Sequence, residues 1–116
     1  MTLTLGMVTI DTTDAESLAR WWAEQTGAAV SQANDGWFVV LEGGGLPVTL
    51  GFQKVEDPTP GKNRIHLDLG ADDLDAEVER LVAAGAGLVG RRGDEGFRWV
   101  TLADPQGNEF DVAQHA

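Results

Sequence analysis

The stretch Trp99-Val100-Thr101-Leu102-Ala103-Asp104-Pro105-Gln106-Gly107-Asn108-Glu109-Phe110-Asp111-Val112 reads as strand, tight turn, strand. Pro105 presets φ at the second turn position and Gly107 closes the turn. Glu109 opens the last strand, and alternation puts Asp111 on its face. A second strand-like run lies upstream, Arg64-Ile65-His66-Leu67-Asp68-Leu69, in which His66 and Asp68 share a face. A His on one strand and carboxylates on another are the makings of a metal or substrate site.

Working outward, the chain reads as one unit used twice. In the first, a strand over residues 3–10 precedes a helix. Thr13 and Glu16 have the spacing of a capping box, Leu18, Trp21, Trp22 and Gln25 stand at helical spacing, and Gly27 is the stop. Strands follow over 28–32, 36–41 and 48–55, with glycine-rich hairpin chemistry at 43–45. In the second, the strand over 64–69 leads to a helix capped by Asp73, carrying Leu74, Val78, Leu81 and Val82 and stopped by Gly85. Strands over 87–91, 97–102 and 109–113 complete it. The expected architecture is α+β, two tandem βαβββ modules (about 1–55 and 64–116) in a single domain, with a polar linker over 56–63. Registering the helix stops makes Met7 the counterpart of His66, and Gly51-Phe52 that of Glu109-Phe110. Trp37 and Trp99 hold similar places on the third strand of each module.

Composition narrows the function. Eight basic against nineteen acidic residues give a formal charge of −11, which disfavours nucleic acid as partner, because phosphate binding needs clustered Lys and Arg. The six acids from Asp68 to Glu79 read as a solvated helix face. With no Cys, disulfides, thiolate nucleophiles and cysteine metal sites are out. Ser17 and Ser31 lie in no Gly-x-Ser-x-Gly context. Gly85-Ala86-Gly87-Leu88-Val89-Gly90 matches a dinucleotide fingerprint in letters only, since it follows a helix where a strand is required. No leader and no apolar run of membrane-spanning length is seen, so a cytoplasmic protein is expected. His115, one residue from the end, is expected to fray.

The repeat and its motifs resemble the vicinal oxygen chelate superfamily: glyoxalase I, bleomycin-resistance proteins, extradiol dioxygenases and fosfomycin-resistance enzymes. The similarity is carried by residues 63–69, 72–85 and 104–110, and is nearest to the small glyoxalase-like domain proteins common in actinobacteria. It implies curved mixed sheets enclosing a cavity, often completed in a homodimer. It implies a divalent metal held from the first and last strand of each module, here Met7, Gly51, His66 and Glu109. Met7 is a soft thioether and Gly51 has no side chain, so only His66 and Glu109 remain as metal candidates, with Asp68 or Asp111 as a third. No tightly bound cofactor is expected; a divalent metal is the open alternative. The resulting expectation is a protein that binds a small aromatic or apolar molecule, with Met7, Trp37, Phe52, His66, Asp68, Trp99, Glu109 and Asp111 around it. The alternative is a metal-dependent lyase or dioxygenase-type enzyme with Glu109 and His66 as its catalytic pair. Trp21 and Trp22 are adjacent on a helix, so one of them is expected to be exposed or covered by a partner copy.

Overall fold

A computed structural model describes residues 5–115. The chain divides into two compact units, Met1–Pro58 and Thr59–Ala116. In the first, β1 (Met7–Thr12) leads into α1 (Ala15–Thr26), followed by β2 (Ala29–Gln32), β3 (Phe38–Gly43) and β4 (Leu46–Lys54). In the second, β5 (Asp68–Ala71), α2 (Leu74–Ala83), β6 (Gly87–Gly93), β7 (Arg98–Ala103) and β8 (Glu109–Gln114) repeat that order. Each unit builds one four-stranded mixed sheet, β1-β4-β3-β2 and β5-β8-β7-β6. The first strand of each pairs in parallel with the last, and the rest is antiparallel. The α+β fold of two βαβββ modules is therefore the fold of this chain. No helix among the described residues is long and apolar enough to cross a membrane.

In each unit the helix covers one apolar face of the sheet. In the first unit Leu50 and Phe52 of β4 and Val39 and Leu41 of β3 are buried together with Ala15, Leu18, Ala19 and Trp22 of α1. In the second, Val100, Leu102, Phe110 and Val112 are buried with Leu74, Val78 and Leu81 of α2. Truncating a fully buried aromatic such as Phe52 or Phe110 to Ala costs about 3–5 kcal/mol.

The structure corrects several local readings. The α1 cap is Asp14, whose carboxylate accepts from the Ser17 N–H at 3.1 Å, one residue after the expected Thr13. Glu16 instead pairs with Arg20 one turn on, which the capping-box spacing could not anticipate. Trp21 and Trp22 are both buried, and their rings meet edge to face at 5.0 Å. An indole is large enough to fold over the flank of the helix, where a second indole gives it a favourable edge contact. Neither indole is therefore left exposed for a partner copy to cover. The first strand begins at Met7, and its expected start at Leu3 lies outside the described residues. β5 starts only at Asp68, four residues after the expected start at Arg64, although the Leu67 carbonyl already accepts from the Asp111 N–H of β8 at 3.0 Å.

Strand register also revises the alignment of the two units. Met7 and His66 each stand seven residues before their helix N-caps, Asp14 and Asp73. Thr9 then matches Asp68. Thr9 pairs with Gly51 and Asp68 with Asp111, so Gly51 is the counterpart of Asp111, two residues on from Glu109. Likewise Val40 faces Gly51 and Thr101 faces Asp111. Trp99 thus matches Phe38, and Trp37 falls one position off and on the other face.

Candidate functional site

Two ties bring the start of β5 beside β8. Parallel pairing sets Asp68 abreast of Asp111. Upstream, Asn63 acts as a clamp: its amide NH2 donates to the carbonyls of Ile65 (2.8 Å) and Glu109 (3.0 Å), and its Oδ1 accepts from the Glu109 N–H at 2.7 Å. The chain between Asn63 and Asp68 is thereby held at the head of the sheet, where the Leu67 carbonyl also accepts from the Asp111 N–H at 3.0 Å.

On the face away from α2 this places a polar group. His66 Nε2 lies 3.2 Å from Asp111 Oδ2 and 3.3 Å from Asp68 Oδ1. Asp68 is 76 % exposed at its side chain and Asp111 only 18 %. Two carboxylates side by side across a strand pair repel each other, and a positive group between them relieves that repulsion. A protonated His66 is one such group and a cation is another. Among the described residues, His66, Asp68 and Asp111 are the His and carboxylate side chains that converge, each offering one donor atom with all of these within 4.8 Å of one another.

Behind the trio the contacts continue across the sheet. The Thr101 hydroxyl donates to Asp111 Oδ1 at 2.6 Å, and Arg92 Nε donates to the Thr101 oxygen at 3.4 Å. Arg92 reaches that point by lying across Gly90, where a Cβ would stand 3.0 Å from its Cζ. Arg92 on β6, Thr101 on β7, Asp111 on β8 and Asp68 on β5, with His66 between the last two, form a single polar line through all four strands.

Of the residues singled out in the sequence, the structure therefore brings together His66, Asp68 and Asp111. Glu109 and Trp99 lie on the same face of the sheet by alternation, both half-buried, and Trp99 packs against Phe97 at 5.7 Å between ring centres. Glu109 is outside the converging trio. In the first unit, Phe52 is fully buried in the helix-side core, and Trp37 is 63 % exposed with Lys54 Nζ 4.9 Å from its ring centre. Met7 stacks on the open face of Gly51, where a Cβ would meet Met7 Sδ at 2.8 Å, Phe38 Cζ at 3.0 Å and Thr9 Oγ1 at 3.0 Å. The trio of positions recurs there with its ligating groups removed: Met7 for His66, Thr9 for Asp68 and Gly51 for Asp111, with Val40 in the place of Thr101 behind them.

His115 is not frayed at its backbone: its N–H donates to the Ala71 carbonyl at 2.8 Å, and its ring lies over Gly70. Sequence reasoning passed over Asn63, Arg92 and Thr101. The signal for Thr101 was present, since it is a hydroxyl in an apolar strand and counting back from the Asp104–Gly107 turn sets it opposite Asp111. Nothing in the sequence marks Asn63 as a clamp.

The sequence profile of the family described as "Glyoxalase-like domain" matches residues 7–113. A search of curated proteins gives no significant match. Among solved structures, a glyoxalase/bleomycin resistance protein/dioxygenase family enzyme from Burkholderia phytofirmans PsJN superposes with a TM-score of 0.80 at 22% identity, over 97% of this chain and 98% of that one. The genomically encoded fosfomycin resistance protein FosX from Listeria monocytogenes gives 0.79 at 13% identity, over 100% and 96%. A lactoylglutathione lyase from Agrobacterium tumefaciens gives 0.69 at 15% identity, over 96% and 92%. At these identities the likeness is one of fold.

Proposed function

The chain belongs to the glyoxalase-like domain family, and from that premise we propose that it binds a small molecule on the second unit's sheet, anchored by His66, Asp68 and Asp111. The observation that carries this reading is the position of His66 Nε2, 3.2 Å and 3.3 Å from two carboxylates on neighbouring strands. A few convergent polar groups beside an aromatic wall are the usual make-up of a small-molecule site, and Trp99 supplies the wall. Two of the solved proteins of this fold are named for small molecules, fosfomycin and lactoylglutathione. The test is a panel of small aromatic and polyoxygenated compounds titrated against the protein and read by tryptophan fluorescence. Hits that bind wild type and lose affinity in D111N and W99A are expected. Hits that bind all three alike would remove the trio from the site.

The convergence of donors favours a second reading, in which the trio holds a divalent cation that in turn meets oxygens of the bound molecule. One imidazole nitrogen and two carboxylate oxygens suit a hard or borderline divalent ion and make up a three-ligand face. Bound there, such an ion supplies Lewis acidity to an oxygen of the ligand. The four places implied by resemblance do not fit as a set, because Met7 and Gly51 offer no hard donor. Glu109, on the same face, is then the candidate base of a lyase-type reaction. Calorimetric titration with Mn2+ and Zn2+ separates the readings: binding by wild type that is lost in H66A and D111N supports the cation, and no heat in wild type rejects it.

A further inference from the structure

We infer that Thr101 is the positioning residue of this site: its hydroxyl holds Asp111 in the one orientation that leaves Oδ2 for His66 and a bound ion. The inference rests on the cation reading above.

Three observations lead to it. Thr101 is 7 % exposed, yet it is a polar side chain in a strand whose neighbours Val100 and Leu102 are core. Its hydroxyl makes a short contact, 2.6 Å, to Asp111 Oδ1, while the other oxygen of that carboxylate, Oδ2, is the one 3.2 Å from His66. The two oxygens are thus assigned different tasks. The direction of the hydroxyl proton is also fixed. Arg92 Nε has no acceptor capacity, so in its contact with Thr101 the threonine oxygen must accept. The hydroxyl hydrogen is then left for Asp111. A carboxylate held in this way loses little rotational freedom when Oδ2 takes up a ligand, which is how groups behind a metal site raise its affinity.

The first unit supplies an internal comparison. There the counterpart of Asp111 is Gly51, and the residue facing it across the strand pair is Val40, not a threonine. A hydroxyl stands at this register position only in the unit that has a carboxylate to orient. A Thr kept merely to fill space would be equally suited to the other sheet.

Cobalt(II) is the probe, because its visible absorption reports both affinity and coordination. Wild type, D111N, T101V, T101S and T101A are titrated with Co2+, and thermal midpoints are recorded for each. D111N is expected to lose the band. T101V, with the shape of threonine and no hydroxyl, is expected to bind Co2+ about tenfold or more weakly with an altered band, and T101S to return to near the wild-type affinity. T101A against T101S reads the same hydroxyl at smaller size if T101V fails to fold. Affinity that follows side-chain volume instead of the hydroxyl would overturn the inference and leave the cation reading standing, as would Co2+ binding by T101V equal to wild type. No Co2+ binding by wild type at millimolar concentration would overturn both.

Discussion

Gly44 shows how far one residue can be determined by its surroundings. Its φ is +56°, and a Cβ there would stand 2.4 to 2.6 Å from backbone atoms of Thr26, Gly27 and Ala28 at the end of α1. Backbone at a capped helix end has little room to retreat, the more so as the Gly45 N–H donates to the Thr26 carbonyl at 2.8 Å. G44A is therefore expected to destabilise the protein by about 3 kcal/mol or more, from overpacking added to left-handed strain. Gly43, one residue earlier, has φ +85° and nothing within 4 Å of a Cβ, so G43A is expected to cost about 1 kcal/mol. Urea unfolding of the two variants checks this; equal losses would mean that the close approach carries no weight. The sequence, by contrast, offers three consecutive glycines at 43–45 with no hint of which one is indispensable.

At the level of elements, the β7–β8 hairpin depends on a single carboxylate. Asp104 is buried, and its Oδ1 accepts from the N–H groups of Gln106 (2.9 Å) and Asn108 (3.0 Å), while the Asn108 amide donates to Oδ2 at 3.0 Å. Backbone bonds close the same turn, Gly107 N–H to Asp104 O and Asp104 N–H to Asn108 O, both 2.9 Å. D104A leaves several of these donors without their acceptor. With charged-acceptor bonds worth about 1.5–3 kcal/mol, a loss of about 3 kcal/mol is expected by chemical denaturation. A loss under about 1 kcal/mol would show that the backbone bonds suffice. This hairpin was also the most legible part of the chain, because turn chemistry and alternation act locally and sequence displays both. The helix stops at Gly27 and Gly85 were legible for the same reason. What could not be read was long-range register. Counting between helix stops made Gly51 the match of Glu109, whereas the parallel pairing matches it with Asp111. A two-residue slip keeps the face and changes the residue, so the faces were anticipated and the partner was not.

For the whole molecule, the dominant long-range term is charge. A formal −11 on 116 residues means net self-repulsion in the compact state. Raising NaCl from about 20 mM to about 200 mM shrinks the screening length below about 10 Å, and the thermal midpoint is expected to rise. A midpoint that stays flat or falls would mean that local ion pairs such as Arg98–Asp75, 3.6 Å apart, offset the repulsion. The parallel pairing of β5 with β8 has a separate bearing on how the protein is made. Asp68 and Asp111 are adjacent in space but separated in the chain by α2, β6 and β7, and contacts of such separation are the slow ones to form. On the ribosome, β6 and β7 can find each other while β8 is still being synthesised; β5 must wait, helix already attached, for a partner that emerges last. Until then Asp68 has no second carboxylate beside it, and His66 and Asp68 stand without the third member of the trio. Any binding that depends on all three side chains cannot begin before β8 has been made and has paired with β5.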